Sequence, residues 1–524
     1  MIILYNPPSS AGRKPVLPMS LLALGALLEG AHDYRIVDGN LERDPLEAIG
    51  RAVREEGADI LGVTVMPGPQ LSHAVPLCRT LKDRHPQLTI VWGGYFPTQH
   101  YDACLRATYV DYVVRGHGEV SFRKLVDALR AGEDGSGIPG VLGRVTTNDQ
   151  RPTTNDRLMP IGLRPATADD HATHAVRRSS SGVRPPSALP PILHPDDLPD
   201  FPYHRVAMAR YIRPTFMGRR TLPHHSSYGC PFFCNFCAVV NMVGGRWLAQ
   251  SAERTAGVVR HMVGAWGVDA VEFYDNNFFV HEARTAEFAG RIMDLGIGWW
   301  GEARIDTMLK YSDRTWRLMR DSGLRMVFLG AESGSDETLR RMNKGGTAST
   351  EKTLAIARKM AELGIVPEMS FVLGNPPEPE NDVRQTIAFI RRVKQANPRT
   401  EIILYMYTPV PLAGELYEQA RAEGFRFPET LEEWTSPAWQ EFSQRRSTGM
   451  PWLRDPLRRQ VRDFERVLNA YYPTATDLGL TGLRRALLRA AAAWRYHSGF
   501  YRFPLELRAL ARLLPYQRPE TAGF

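Results

Sequence analysis

The residues of this sequence best suited to chemistry are three closely spaced cysteines. Cys230, Cys234 and Cys237 form a C-x3-C-x2-C pattern and are three of the chain's five cysteines. Structural zinc normally takes four ligands, commonly from two separated C-x2-C pairs, whereas three cysteines on a cubic iron–sulfur cluster leave one iron open to bind another molecule. The spacing therefore favours a reactive cluster. A zinc site with a remote fourth ligand, or chance spacing, is the alternative.

Phe236, directly before the last cysteine, extends the pattern to C-x3-C-x-aromatic-C. With this residue the segment resembles the cluster-binding loop of the radical S-adenosylmethionine (SAM) superfamily. The resemblance implies a [4Fe-4S] cluster whose open iron is chelated by the amino and carboxylate groups of SAM. It also implies cleavage of SAM to methionine and a 5'-deoxyadenosyl radical, which removes hydrogen from an unactivated carbon.

The remaining cysteines, Cys78 and Cys104, stand alone and are predicted to be small core residues. Because the chain has no paired disulfide framework and its thiolate triplet needs reducing conditions, we expect a cytoplasmic protein. The first residues lack the basic region of a secretory signal, and no apolar run approaches the roughly 20 residues that span a bilayer.

Length and composition predict two or three globular domains, since the 524 residues are 43% hydrophobic and 23% charged. The balance of 65 basic and 57 acidic residues does not indicate nucleic acid as a partner of the whole chain. We predict a first domain over residues 1–143, a linker over 144–200, a second domain over 201–420 and a helical C-terminal cap over 421–524.

The predicted cap is rich in arginine and aromatic residues. Its aromatic side chains, such as Trp434, Trp452 and Trp494, are expected to form a packed core, with the lining of a substrate cavity as the alternative. Near the end of the chain, arginines alternate with Leu, Trp, Phe and Tyr in an amphipathic helical pattern. This pattern is typical of a cap with a solvated basic face, and a peripheral membrane contact is the alternative.

The first domain alternates apolar strands with amphipathic helices, which predicts a doubly wound parallel sheet in an α/β fold. Ligands of such sheets bind beyond the carboxyl ends of the strands, where glycines let a bulky ligand approach the backbone. The predicted strands are Ile2–Tyr5, Tyr34–Val37, Ile60–Val65, Thr89–Trp92 and Tyr112–Val114.

The loops that follow these strands resemble the cobalamin-binding domain at the front of many radical SAM enzymes. Thr64-x-Met66 stands where that family has Ser-x-Leu, and Gly93-Gly94 stands where it has Gly-Gly beside the nucleotide tail. The resemblance implies that these four residues bind cobalamin. The family element that supplies a histidine to cobalt is absent, because residues 6–12 contain no histidine. A sheet that binds another nucleotide, or nothing, is the alternative.

The second domain contains six strand and helix units, which predicts a partial (β/α)6 barrel. Active-site residues of barrels lie just past the carboxyl ends of the strands, and the cysteine triplet follows the first strand there. The predicted strands are Leu222–Ser227, Ala270–Tyr274, Gly298–Glu302, Met326–Leu329, Pro367–Leu373 and Glu401–Tyr405.

Polar residues and a glycine at the ends of the later strands complete the expected SAM site. An arginine can form paired hydrogen bonds to a carboxylate, Asp275 after the second strand suits an ammonium group such as the SAM amino group, and a carboxylate or hydroxyl can hold ribose hydroxyls. The family's Gly-Gly-Glu glycines are absent, and helix caps or surface ion pairs are the alternative roles. The candidates that the resemblance implies are Asp275, Glu302, Arg304, Glu332, Ser333 and Gly374.

Together these motifs resemble cobalamin-dependent radical SAM enzymes of the methylating type. The implied function is C-methylation of an unactivated carbon of a small molecule, with a low-potential electron donor as partner and no nucleic acid. Residues 93–100 and 343–347 are similar to the anaerobic magnesium-protoporphyrin monomethyl ester cyclase. An oxidative cyclase or hydroxylase acting on a tetrapyrrole or other hydrophobic substrate is therefore the alternative. No residue is identified as a general base, and a cofactor-binding sensor is a non-enzymatic alternative.

Overall fold

The structure is a computed structural model. It describes residues 1–9, 15–135, 137–144, 190, 192–344, 346–411, 414–443, 450–474, 476–477 and 479–513. Most of the predicted linker over 144–200 lies outside the described residues.

The N-terminal part of the chain forms a six-stranded sheet covered by helices. Its strands are β1 (Ile2–Asn6), β2 (Tyr34–Asp38), β3 (Ile60–Thr64), β4 (Thr89–Gly93), β5 (Tyr112–Val114) and β6 (Val141–Gly143). Its helices are α1 (Met19–Leu28), α2 (Pro45–Glu55), α3 (Pro69–Arg84), α4 (Tyr95–Gln99), α5 (Tyr101–Arg106) and α6 (Glu119–Arg130). The strand order is β2-β1-β3-β4-β5-β6, and β6 alone pairs antiparallel.

This sheet confirms the predicted doubly wound α/β fold. The strand β1 is buried along its whole length, as expected for an apolar strand in a sheet with helices on both faces. The strand order reverses between β1 and β3, and such a reversal opens a crevice at the carboxyl ends of the strands. The edge strand β6 was not predicted, because only its first residue is buried and it ends in an exposed glycine.

The second part of the chain forms a partial barrel. Its strands are β7 (Thr221–His224), β8 (Ser227–Gly229), β9 (Trp247–Ala249), β10 (Ala270–Phe273), β11 (Gly298–Ala303), β12 (Leu324–Glu332), β13 (Val366–Leu373) and β14 (Glu401–Met406). Its helices are α7 (Val239–Val243), α8 (Ala252–Trp266), α9 (Glu282–Ile292), α10 (Ile305–Met308), α11 (Asp313–Asp321), α12 (Asp336–Arg341), α13 (Thr350–Leu363) and α14 (Pro379–Ala396). Short 3-10 helices cover Tyr203–Arg205, Met208–Arg210 and Met293–Leu295.

Six parallel strands form the barrel wall in the order β14-β13-β12-β11-β10-β7. The two outer strands are not paired with each other among the described residues, so the predicted partial barrel is confirmed. The predicted strand over 222–227 is instead two strands, because β7 ends at His224 and Ser227 begins the antiparallel pair of β8 with β9. This break lets the chain leave the barrel wall just before the cysteine triplet.

The C-terminal region is helical, as predicted. Its helices are α15 (Glu415–Ala422), α16 (Leu431–Trp434), α17 (Pro437–Ser443), α18 (Asp455–Tyr471), α19 (Gly482–Ser498) and α20 (Leu505–Leu513). Trp434 is buried and meets Phe96 and His100 of the N-terminal sheet region, with ring centroids 5.1 and 4.5 Å away. Trp452 is also buried, whereas Trp494 is 53% exposed and does not belong to the expected packed core. Within the described residues, no helix combines the length and apolar character needed to cross a membrane.

Candidate active site

The cysteine triplet lies on a loop between β8 and α7, at the carboxyl end of the barrel. Gly229, directly before Cys230, has φ of 85°, and a Cβ at this position would lie 2.2 Å from the carbonyl oxygen of Arg246. The turn therefore requires glycine. Within the loop, the backbone N–H of Cys237 donates to the carbonyl of Cys234 over 3.1 Å, which curls the three thiols into one compact segment.

Burial raises the pKa of all three thiols, and it raises the pKa of Cys237 to about 12. The positive charges of Lys344 and Arg304 lower the pKa of Cys234 in part. Buried thiols therefore become thiolates when bound cations compensate the charge, as iron does in a cluster.

The arrangement fits a cluster better than a single ion. Among the described residues, no group of three or more His, Cys, Asp or Glu side chains could hold one metal ion. A cubic cluster has a different requirement, because each of its cysteines binds a separate iron. Among the described residues a single-ion zinc site has no support, and a [4Fe-4S] cluster held by Cys230, Cys234 and Cys237 stays a prediction.

The side chain of Arg304, which follows β11, contacts the cysteine loop. Its Nη1 donates to Cys234 Sγ over 3.3 Å, and its Cζ lies 3.9 Å from the centroid of the Phe232 ring. Two further nitrogens donate to both carboxylate oxygens of Asp306, over 3.0 and 2.9 Å, and Nη2 also reaches the Lys344 carbonyl over 2.8 Å. The structure places a fixed positive charge beside Cys234, and a direct contact of Arg304 with SAM stays a prediction.

Glu332 lies at the carboxyl end of β12 and is paired with a lysine. Its backbone has φ of 63°, an unusual conformation for a residue with a side chain, and the β12–β13 register shifts at this point. Lys344 Nζ donates to Glu332 Oε1 over 2.5 Å and to the Gly330 carbonyl over 2.6 Å. Lys344 was not among the predicted site residues, although it lies in the segment over 343–347 that carried the cyclase resemblance.

Asp275 follows β10 and is fully buried. Its carboxylate accepts from the Ser226 backbone N–H and hydroxyl, both over 2.6 Å, and from the Ser227 hydroxyl over 2.7 Å. These contacts fix the break between β7 and β8, from which the cysteine loop departs. The structure therefore places Asp275 as a support for Cys230, and its predicted contact with the SAM amino group stays a prediction.

Ser333 and Gly374 meet through one aspartate that the sequence analysis did not identify. Asp382 Oδ2 accepts from the backbone N–H of Gly374 over 2.9 Å and of Asn375 over 3.2 Å, while Ser333 Oγ donates to Asp382 Oδ1 over 3.4 Å. The indole N–H of Trp452 donates to the Gly374 carbonyl over 3.0 Å. These bonds hold the loops after β12 and β13 together at the barrel mouth.

Glu302 lies on β11, on the strand face it shares with Trp300. That face points into the barrel, because Trp300 packs with Met326 and Val366 in a cluster apart from the main core. The structure places Glu302 below Arg304 in the barrel interior, and a contact with ribose hydroxyls stays a prediction.

Buried polar oxygens at the strand ends leave hydrogen-bonding capacity for a ligand. Asn277 Oδ1, Asn375 Oδ1 and the Tyr407 hydroxyl are buried without a hydrogen-bond partner in the described part of the chain. Asn277 Nδ2 lies 3.9 Å from Cys230 Sγ, so this amide is beside the cysteine loop. Since buried polar groups are normally satisfied, these atoms favour a polar ligand at the barrel mouth.

The four predicted cobalamin residues lie together at the ends of β3 and β4. The Val65 N–H donates to the Gly93 carbonyl over 2.9 Å, and a Cβ on Gly94, whose φ is 96°, would be 3.1 Å from Thr64 Oγ1. Met66 is partly exposed beside them. Thr64, Gly93 and Gly94 are partly exposed, so these strand ends are accessible to a large ligand.

The cobalamin-type crevice adjoins the cysteine loop. Helix α4, which begins after Gly94, contacts α7, which begins after Cys237. Gln99 Nε2 donates to the Ala238 carbonyl over 3.1 Å, and Asn241 Nδ2 donates to Gln99 Oε1 over 2.6 Å. The helices that follow the two candidate loops are thus held together by two hydrogen bonds through Gln99.

Comparison with known proteins agrees with this division of the chain. Residues 13–126 match the B12 binding domain, and residues 225–390 match the radical SAM superfamily. A protein of Pyrococcus horikoshii, named as an uncharacterized methyltransferase, is 25% identical over 400 residues, covering 75% of this chain and 78% of that protein. The anaerobic magnesium-protoporphyrin IX monomethyl ester cyclase of Synechocystis is 25% identical over 364 residues, covering 67% of this chain and 64% of the cyclase.

A solved structure shows the same fold over the whole chain. The radical SAM methyltransferase TsrM from Kitasatospora setae, with tryptophan substrate and a SAM analogue bound, matches with a TM-score of 0.62 and 17% identity. The match covers 98% of this chain and 99% of that structure.

The two domains and the thiolate triplet define a radical SAM protein with a B12-binding domain. The chain thus resembles the cobalamin-dependent radical SAM enzymes, of which TsrM from Kitasatospora setae has been solved with cobalamin and a [4Fe-4S] cluster bound.

Proposed function

We propose that this enzyme transfers a methyl group from SAM, by way of cobalamin, to a carbon atom of a small molecule. The observation that carries the proposal is the hydrogen-bonded contact between the helices that follow the two candidate loops, through Gln99 and Ala238. It brings the cobalamin crevice beside the cluster loop, as a methyl carrier next to a substrate radical requires. The methyltransferases among the similar proteins support the same reaction.

The bound cofactors supply the electron, the substrate radical and the methyl group, and the protein supplies position and exclusion of water. We propose that Arg304 holds positive charge at Cys234. We also propose that the ion pair of Lys344 with Glu332 forms the neighbouring wall of the site, at the carboxyl end of β12. Asp275 and Asp382 fix the backbone of the loops that carry these groups. The unpartnered oxygens of Asn277 and Asn375 are proposed to accept from the polar part of SAM.

A hydrophobic substrate is part of the proposal, because the barrel interior carries Trp300 and Phe328 beside its carboxylates. We propose a cytoplasmic location, since a low-potential electron donor and reduced cysteines are both expected there. An oxidative cyclase is the second candidate, and the match to the Synechocystis cyclase over 364 residues favours it.

The products formed from SAM distinguish these functions. Anaerobically reconstituted enzyme with cobalamin, a strong reductant and SAM carrying a deuterated methyl group is incubated with a host small-molecule extract. We expect 5'-deoxyadenosine and S-adenosylhomocysteine in matching amounts, and a new compound that retains the label. Extract-dependent 5'-deoxyadenosine without label transfer would instead identify the cyclase reaction. No SAM cleavage would contradict both enzymes and favour a sensor.

A further inference from the structure

Exposed apolar side chains are concentrated at the C-terminal end of the described chain. Nine large hydrophobic side chains are exposed among the described residues, and seven of them lie on α19, α20 and the turn between these helices. These seven are Leu483, Leu487, Trp494, Phe500, Phe503, Leu505 and Leu513. We call α19, the turn over 499–504 and α20 the C-terminal surface.

Helix α19 has two apolar faces, and the packing of the protein uses one of them. Leu488 and Tyr496 are buried on the side that packs against α18. Leu483, Leu487 and Trp494 lie four and seven residues apart, which places them on one common side, and they are 73%, 50% and 53% exposed. A helix that served only as a cap would carry polar residues on this outer side.

The turn between the helices holds an aromatic side chain in water. Phe503 is 67% exposed and has φ of 50°, a left-handed conformation that costs a residue with a Cβ about 1–2 kcal/mol. Its N–H donates to Asp463 over 3.0 Å, and its carbonyl accepts from Arg495 over 3.1 Å. Trp494 and Phe500, which precede it in the chain, stack on each other with ring centroids 6.1 Å apart. The backbone bonds thus fix a strained turn whose aromatic side chain points outward.

The charge of the C-terminal surface is strongly positive. Residues 479–513 contain seven arginines and one acidic residue, Glu506. The buried Arg495 is paired with Glu506, and Arg485 donates to backbone carbonyls. Three exposed arginines have guanidinium groups without a hydrogen bond or ion pair within the described residues, and these are Arg484, Arg502 and Arg512.

We infer that the C-terminal surface binds the interface of an anionic lipid bilayer. Exposed leucines gain from entering the acyl boundary, tryptophan favours the interfacial region, and free arginines pair with lipid phosphates. RNA would use the arginines and aromatic rings but would leave Leu483, Leu487 and Leu513 in water. A two-fold contact with a second copy would place the same unpaired arginines against each other.

The contact would orient the catalytic barrel at the membrane. Helix α18 packs between α19 and the barrel helix α14, and Arg391 of α14 donates to the Tyr501 hydroxyl over 3.2 Å. The C-terminal surface is thereby joined rigidly to the outside of the barrel. The inference concerns location and holds for either a methyltransferase or a cyclase.

Vesicle binding by the full-length, reconstituted enzyme tests the inference. Co-sedimentation is compared between phosphatidylcholine vesicles and vesicles in which about one lipid in three is phosphatidylglycerol. We expect binding to the anionic vesicles that weakens when salt rises from about 0.05 to about 0.5 M. Absence of binding, or equal and salt-independent binding to both vesicles, would overturn the inference.

Two double variants separate the apolar and ionic contributions. The apolar variant combines Leu487→Gln with Trp494→Ala, and the ionic variant combines Arg484→Glu with Arg512→Glu. We expect each variant to bind anionic vesicles about tenfold or more weakly than the wild type. Met293→Gln, which changes an exposed methionine on another face, and Arg51→Glu are the matched controls and should bind as wild type. Unchanged circular dichroism and SAM cleavage verify that each variant is folded.

Binding experiments without lipid address the other occupants. Binding of transfer RNA is measured for the wild type and for Arg484→Glu with Arg512→Glu. If the wild type binds transfer RNA but not vesicles, and the variant loses the RNA binding, the C-terminal surface is a nucleic-acid surface. Sedimentation velocity measures whether the wild type is a dimer. A dimer that dissociates in the variant Leu487→Gln with Trp494→Ala would identify a contact between two copies of the chain. Either result would replace the lipid assignment.

Discussion

A buried glutamate in the barrel gives this fold a pH-dependent stability. Glu368 lies on β13 and accepts from the indole N–H of Trp300 over 3.1 Å. Burial raises the pKa of Glu368 to about 8, with further increases from the neighbouring carboxylates of Glu401 and Glu302, against the opposing effect of the Trp300 hydrogen bond. At neutral pH this side chain is therefore mostly protonated in the folded protein.

The sign of the effect follows from proton binding. Between pH 4.5, the ordinary pKa of glutamate, and about pH 8, the folded protein keeps a proton on Glu368 that the unfolded chain releases. The free energy of unfolding therefore falls as the pH rises through this range. Each unit of difference between the pKa values of Glu368 in the folded and unfolded states contributes about 1.36 kcal/mol to the free energy of unfolding. The contribution of Glu368 therefore has an upper limit of about 5 kcal/mol.

The substitution Glu368→Gln removes this proton linkage and keeps an oxygen that accepts from Trp300. We expect the wild type to lose about 2–4 kcal/mol between pH 5 and pH 8.5 relative to the variant, whose stability should change less. Urea unfolding followed by tryptophan fluorescence at each pH measures the difference. Glu337→Gln, which alters an exposed glutamate, is the control and should follow the wild type. Parallel pH dependence in wild type and Glu368→Gln would refute the reasoning.

Three further substitutions test the supports of the site. Arg304→Ala should slow reductive SAM cleavage about tenfold or more without loss of iron, because it removes a positive charge 3.3 Å from Cys234 Sγ. Loss of iron from the reconstituted variant would contradict this prediction. Asp275→Asn should lower the free energy of unfolding by about 1–3 kcal/mol and reduce iron retention, whereas unchanged values would show that the buried hydrogen bonds are dispensable. Trp434→Ala should cost about 3–5 kcal/mol and make the N-terminal domain more sensitive to protease; wild-type resistance would argue against its role between the domains.

All the parallel strands of the two sheets were predictable, because each contains a buried apolar run. The predicted Tyr112–Val114 coincides with β5, and the predicted Glu401–Tyr405 falls one residue short of β14. The pair of β8 with β9 was missed, since neither strand is a buried apolar run and the two are formed by pairing across the cysteine loop. The sequence thus specified the layers of the fold better than the short elements that shape the cysteine loop.

The candidate site was predictable where residues follow strand ends, and less so where partners come from elsewhere. Glu332 was identified from its position after a strand, but its partner Lys344 lies in an irregular loop twelve positions later, where no periodicity indicates a contact. Asp275 was expected at SAM because a carboxylate can bind an ammonium group. In the structure the Asp275 carboxylate instead accepts three hydrogen bonds from Ser226 and Ser227. Such a hydrogen-bond network between distant parts of the chain cannot be identified from a single sequence.

The central claim is that Cys230, Cys234 and Cys237 hold the cluster that cleaves SAM. The most direct test measures iron, cobalamin and SAM cleavage in wild type and in Cys234→Ala, each reconstituted anaerobically with cobalamin. We predict about four irons per wild-type chain and reductant-dependent SAM cleavage, and loss of both in the variant while cobalamin stays bound. Normal iron content and SAM cleavage in Cys234→Ala would contradict the assignment of the site.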